Sequence, residues 1–440
     1  MRVRHTTQPS IFRFRPEHEI SDIFDGMSRW LDDHPEVLEW IEKDLGADGK
    51  RLGRTGMTCE QVLRIGLIKQ YRQCSYRELR VALADSLSTQ YFARIDPFAI
   101  PARSTLQANV SAIKAETWEQ LNRMLVESVL GTAFEPGERI RIDSTVSETH
   151  ILDPTDSKLL YDSVRVMTRF LKKVKPWSGI KFVNHCRRAK RRWLGAHSAK
   201  QDDDRAAMYR DLMKLVDKTR VWVFEALESL KNKGFDDPVI TQMETEFLPL
   251  VATVMDQTQR RVFDGESVPA SEKVVSIFEP HTDIIKKGGR DVYYGHKINL
   301  TTGVSGLVVD AVIERGNPAD ETRFMPMLER YQQAYGQLPS QVAVDGGYSS
   351  QANLAAAKAL GVEDVGFHKR RSLTIEEMTG GDHWLYRELR NFRAGIEAGI
   401  SYLKRCFGLK RVYWKGWEHF CASIWASIFA HNLVRLARSG

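Results

Sequence analysis

Asp143 and Asp345 each close a short alternating run, Arg139-Ile140-Arg141-Ile142 and Gln341-Val342-Ala343-Val344. A period of two reads as strand, and an acid at the carboxyl end of a strand lies on the rim where α/β sheets hold ligands. Singly, such an aspartate is more often a turn or cap residue. Glu397 shifts the balance. It lies in Arg393-Ala394-Gly395-Ile396-Glu397-Ala398-Gly399-Ile400, where Ile396, Ile400, Leu403 and Phe407 make a buried helical stripe. Arg393, Glu397 and Lys404 then share an adjoining face. An Arg–Glu pair on a solvated edge is one reading. Gly395 and Gly399 favour another, because each glycine in a helix costs roughly 1 kcal/mol relative to alanine, which makes sense where something must approach closely. Three converging carboxylates are hard oxygen ligands that suit Mg²⁺ or Mn²⁺. Asp310, between Val309 and Ala311, is the alternative to Asp143. Glu314, Asp320 and Glu321 read as loop or cap residues, with Asp320 the N-cap of the helix after it.

The elements that must position these acids follow from periodicity. Residues 1–20 are polar and arginine-rich and read as an arm. From about Ile20 to Leu130 the helical period dominates: Thr58 with Gln61 and Ser75 with Glu78 form capping boxes, and a third helix follows Pro101, around Leu106 to Leu130. The texture changes at Glu135-Pro136-Gly137, ahead of the strand ending at Asp143. Helical periodicity returns from about Asp156 to Glu266. A second alternating block starts at Val274, with strands over Tyr293–Leu300 and Gly306–Ile313. A helix through Met325 and Tyr331 comes next, then the strand ending at Asp345, a helix from Ser350 to Leu360 closed by Gly361, and a short strand at Val365–Phe367. The rest, from about Tyr386, is helical. This order predicts a mixed α/β domain over 138–155 and 273–440, a helical insertion over 156–272, and an all-α N-terminal domain over 1–137.

With 440 residues, two or three domains are expected. A net charge of +7 points to an anionic partner without naming it. Cysteines 59, 74, 186, 406 and 421 form no CxxC pair and no Cys/His cluster, so they read as reduced thiols rather than disulfides or a zinc site. The basic N-terminus leads into no apolar segment, and no uninterrupted apolar run has transmembrane length. A soluble, cytoplasmic protein is expected.

Two stretches are strongly basic. Between Lys158 and Lys200 there are 13 Lys/Arg and one acid, Asp162. Its centre is Arg187-Arg188-Ala189-Lys190-Arg191-Arg192-Trp193, with Phe170, Trp177 and Phe182 interleaved. Most charge runs are solvated faces, but this one has an unusual purity of sign, which would suit phosphate if the surrounding domain acts on nucleic acid. Trp193 reads as packed within the insertion rather than stacked on a base. The second stretch, Lys404-Arg405 followed by Lys410-Arg411-Val412-Tyr413-Trp414-Lys415, comes directly after Glu397.

In this ordered set the chain resembles insertion-sequence transposases of the DDE class. Arg141-Ile142-Asp143-Ser144-Thr145 is similar to the family's strand-D-[ST]-T opening, and Asp345-Gly346-Gly347-Tyr348 to its D-x-G-Y turn. Arg393 to Lys404 is similar to its R-x-x-[IV]-E…L-K helix, and Gly316-Asn317 with Asp320 to its loop before a core helix. Ala398 stands where a basic residue often follows the glutamate. The resemblance implies an RNase H-like catalytic domain with Asp143, Asp345 and Glu397 as its catalytic metal ligands. Two Mg²⁺ or Mn²⁺ ions would be held, Asp143 bridging both, to stabilise the attacking and leaving oxygens of a phosphodiester. It implies hydrolysis at the element's ends and joining of the freed 3′-OH to target DNA. It further implies double-stranded DNA partners (terminal inverted repeats and target), a homodimer or larger synaptic oligomer, and a bacterial, nucleoid-associated location. DNA contacts are expected from Arg187, Arg188, Lys190, Arg191, Arg192, Arg393, Lys404, Lys410 and Arg411. A nuclease of the same fold that cuts without joining, and an inactive DNA-binding regulator, remain alternatives.

Overall fold

The computed structural model describes residue 4, residues 16–46, 56–287, 291–368 and 372–439. The expected N-terminal arm lies mostly outside these; Arg4 pairs with Glu39 and Glu42. The chain divides into two compact units, one built from the residues up to Glu148 and from His296 onward, the other from Thr149–Gly295.

The first unit begins with seven helices: α1 (Glu19–Asp33), α2 (Val37–Asp44), α3 (Cys59–Tyr71), α4 (Tyr76–Asp85), α5 (Leu87–Ala93), α6 (Arg103–Val110) and α7 (Ala115–Glu127). Thr58/Gln61 and Ser75/Glu78 form both capping boxes, starting α3 and α4. The single helix expected after Pro101 is two helices. The chain turns at Ser111–Lys114, where the Lys114 amide donates to Asp44 Oδ2 at 2.9 Å, a bond made with a residue 70 positions away.

Strand β1 (Arg139–Thr149) follows. It does not end at Asp143 as its alternation suggested. Its pairing with β5 stops there, but it runs on beside β7.

The second unit is helical: α8 (Asp156–Ser178), α9 (Cys186–Ser198), α10 (Asp202–Asn232), α11 (Pro238–Gln242) and α12 (Leu248–Thr258) enclose their own apolar core, in which Leu160, Leu171, Leu212, Val216 and Val251 are buried. The alternating block from Val274 is irregular until β2 (Asp283–Lys287), which pairs antiparallel with the start of β3 (Asp291–Thr302).

Within the first unit β3 pairs antiparallel with β4 (Val308–Ile313). A 3₁₀ turn (Asp320–Arg323) leads into α13 (Phe324–Tyr335), β5 (Gln341–Val344), α14 (Gln351–Leu360), β6 (Asp364–Phe367), α15 (Ile375–Thr379), α16 (His383–Cys406), β7 (Arg411–Val412) and α17 (Trp417–Ala437). The sheet order is β2-β3-β1-β5-β6, with β4 on β3 and β7 on β1, and β5 parallel to both β1 and β6. The chain is therefore mixed α/β with a helical N-terminal region. Ile140, Ile142, Val342 and Val344 enter one apolar cluster with Phe324, Leu328 and Tyr331 of α13. Alternation sends Arg139, Arg141 and Asp143 to the other face, where α16 packs.

Helix α17 is long and apolar enough to cross a membrane by composition, yet most of it is buried in the core against α1, α3 and α7. A polar network pins it there. Asn432 Nδ2 donates to Asn122 Oδ1 (2.7 Å) and to the Val308 carbonyl (2.8 Å), and its Oδ1 accepts from the Val308 amide (2.9 Å). Helix α7, strand β4 and helix α17 are thus tied by groups that would be costly to leave unpaired.

Candidate active site

Parallel pairing brings the first two acids together. Ile142 is opposite Val344 in the last rung between β1 and β5, so Asp143 and Asp345 are the next residues on neighbouring strands. Asp143 is fixed by accepting its neighbour's amide, Ser144 N–H to Oδ1 at 2.7 Å. The third acid arrives on α16, which approaches the sheet where two glycines leave room. A Cβ on Gly366 of β6 would meet Leu389 at 2.7 Å, and one on Gly395 would collide with the guanidinium of Arg141. Gly399 has open space around it, and no close approach accounts for it.

The guanidinium of Arg393 joins the three acids. Its Nη2 lies 3.0 Å from Asp143 Oδ2 and 3.7 Å from Asp345 Oδ1, and its Nη1 lies 2.8 Å from Glu397 Oε1. Since Asp143 and Asp345 sit on one nitrogen, their oxygens can be no farther apart than those two lengths end to end. The side chains grade outward: Asp143 is 14% exposed, Asp345 39% and Glu397 64%. Arg393, expected as a DNA contact, is here a carboxylate partner. Three carboxylates around one cation have the donor chemistry for a divalent ion, although their present spacing is set by Arg393. Among the described residues no three acid, histidine or cysteine groups close up on a metal position by themselves.

A second layer lies beside this cluster. Asp320 is not the N-cap expected of it: α13 begins at Phe324, after a turn capped by Ala319. Its carboxylate instead accepts from Lys297 Nζ at 3.0 Å and stands 3.5 Å from Ser144 Oγ. A Cβ on Gly347 would come within 3.0 Å of it. Glu314 is buried, accepts from Asn299 Nδ2 (2.9 Å) and pairs with Arg323. Burial raises its pKa against the pull of Arg323 and Asn299. Tyr348 donates to Asn299 Oδ1 at 2.9 Å, and burial, with Asp320 and Asp143 nearby, raises its phenol well above the ordinary value. The signal for this layer was Lys297 and Asn299 two residues apart in a strand, hence on one face. Asp310 is held away from the cluster by two 2.8 Å bonds from Arg330.

The basic stretch of the second unit is partly neutralised. Arg188 and Arg192, on α9, both pair with Asp211 of α10. Burial would raise Asp211, but hydrogen bonds from these arginines prevail and its pKa falls below the ordinary range. Lys158 and Arg165 pair with Asp162. Arg187, Lys190 and Arg191 are exposed, with no ion pair among the described residues. Trp193 stacks on Tyr161 with centroids 5.2 Å apart, so its ring packs within the insertion. In the first unit Arg411 pairs with Glu148 and Lys410 is exposed. Lys404, on α16, lines the same cavity as Lys410.

Two transposase families match the chain. The Transposase DDE domain matches residues 256–433, and a Transposase domain matches residues 17–111. The first match spans Asp345 and Glu397 but begins after Asp143, whose place beside them rests on strand register. No curated protein and no solved structure matches the chain.

Proposed function

The chain belongs to the insertion-sequence transposases of the DDE class, and from that premise we propose that it binds its element's ends, hydrolyses phosphodiesters there and joins the 3′-OH ends to target DNA. What supports this reading is the meeting of Asp143, Asp345 and Glu397 on Arg393. Asp143, Asp345 and Glu397 would hold two Mg²⁺ or Mn²⁺ ions, which when bound supply stabilisation of the attacking and leaving oxygens. Arg393 pairs with the acids and keeps them mutually close in the meantime; released from them, its planar fork suits a phosphate. Lys404, two helical turns beyond Glu397, would neutralise the adjoining strand. Residues 1–137 would bind ends or dimerise, and the basic helices within 156–272 would hold DNA phosphates. The acting species would be a homodimer or larger synaptic assembly on nucleoid DNA.

The test is Asp345→Asn and Glu397→Gln, which keep shape but remove a negative ligand. Each is expected to slow Mg²⁺-dependent cleavage of element ends by at least about a hundredfold, the scale of losing one electrostatic stabiliser, with DNA binding retained. Wild-type cleavage in Glu397→Gln would overturn the catalytic assignment. Pre-cut ends supplied with target DNA distinguish joining from cleavage alone.

A further inference from the structure

A cavity of about 910 Å³ opens in the first unit between α3–α4 and the segment after α16. Among the described residues its walls carry Lys69, Lys404, Arg405, Lys410, Lys415 and Arg411, the last paired with Glu148, against a single lining acid, Glu78. Glu78 is already engaged by the Ser75 amide (2.7 Å) in its capping box. The least expected group is Lys69. Its ammonium lies 5.2 Å from the Tyr76 ring centroid and 5.3 Å from that of Trp414, with no carboxylate at ion-pair distance among the described residues. Burial lowers its pKa, the mark of a cation lacking a counter-charge. Tyr413, which also lines the cavity, is 67% exposed.

A cation held between two rings with no carboxylate partner among the described residues, other basic groups around it and an exposed aromatic residue are what a nucleotide requires: charge for its phosphate and a flat face for its base. The volume lies within the range of roughly 300–1,000 Å³ typical of small-ligand sites, which suits a single nucleotide better than a duplex whose major groove alone is ~12 Å wide. We propose that this cleft binds one unstacked nucleotide of a DNA strand, its phosphate near Lys69 and its base on Tyr413. The proposal rests on the chain acting on DNA, not on the assignment of the three acids. Lys404 is seven residues beyond Glu397, roughly 10 Å along α16 or about three nucleotide steps of a B-form strand. The bound nucleotide would therefore belong to the strand end beside the cut.

The full chain is titrated with a labelled oligothymidylate and with a blunt duplex of equal length, following anisotropy. Tyr413→Ala and Lys69→Met are each expected to weaken oligothymidylate binding by about tenfold while changing duplex binding by less than about twofold, and Tyr413→Phe, which keeps the ring, should bind as wild type. Equal losses on both probes would make the cleft a general phosphate track and overturn the proposal, as would unchanged oligothymidylate binding in Tyr413→Ala. Tyr413 is exposed, so its variant decides the matter even if Lys69→Met fails to fold. Asp345→Asn should bind oligothymidylate like wild type, which keeps failure of the cleft distinct from failure of the catalytic assignment.

Discussion

Arg141 occupies the space that a side chain on Gly395 would take. Its guanidinium donates to the Phe392 carbonyl at 2.7 Å and to Thr302 Oγ1 at 2.9 Å, and lies 4.5 Å from the Phe392 centroid. One arginine thereby sets the height of α16 above β1, and with it the reach of Glu397.

Gly395→Ala and Gly399→Ala should therefore part company. Both gain about 1 kcal/mol in helix propensity, but only Gly395→Ala must displace Arg141 and break its hydrogen bonds. We expect urea denaturation to place Gly395→Ala below Gly399→Ala by about 1–3 kcal/mol. Equal stabilities would mean that Arg141 moves aside freely.

Replacing Arg393 with Gln should leave three carboxylates without their shared cation. Mn²⁺ affinity in the absence of DNA, read by electron paramagnetic resonance, is then expected to rise, because the ion no longer competes with a guanidinium for Asp143 and Glu397. Unchanged affinity would show that Arg393 does not stand in the ion's way.

In the insertion, the arginines should divide by partner. Neutralising Arg187, Lys190 or Arg191 is expected to reduce the slope of log affinity against log salt by about 0.9 for each phosphate left without its cation. Neutralising Arg188 or Arg192, both held by Asp211, should alter the slope less and cost at most about 1 kcal/mol of stability, because each arginine is more than a third exposed and the other arginine still pairs with Asp211. Equal slopes for the two groups would count against this division.

His431 gives the fold a pH dependence. It is buried, and its imidazole meets Asn432 Oδ1 at 3.0 Å; burial pushes its pKa down to about 4. Unfolding restores a value near 6.5, so between these values the unfolded chain binds the extra proton. Stability is complete above pH 6.5 and falls as the pH drops toward 4, by about 3 kcal/mol in all. His431→Gln should flatten that part of the unfolding profile, and an unchanged profile would place the dependence elsewhere.

The sequence by itself determined the elements whose hydrogen bonds close within a few residues. The capping boxes at Thr58/Gln61 and Ser75/Glu78, the Gly361 cap with its φ of +118° and the strand at Gln341–Val344 were all legible, because three-residue bonds and two-residue alternation are written locally. Tertiary structure alone decided that β1 continues past Asp143, that the helix after Pro101 breaks against Asp44, and that Asp320 answers Lys297. It alone placed Arg393 against Asp143, 250 positions away, and brought Asp211 onto Arg188 and Arg192. A charge's partner depends on distance in space, so residues that read as free phosphate ligands along the chain became, once folded, halves of ion pairs.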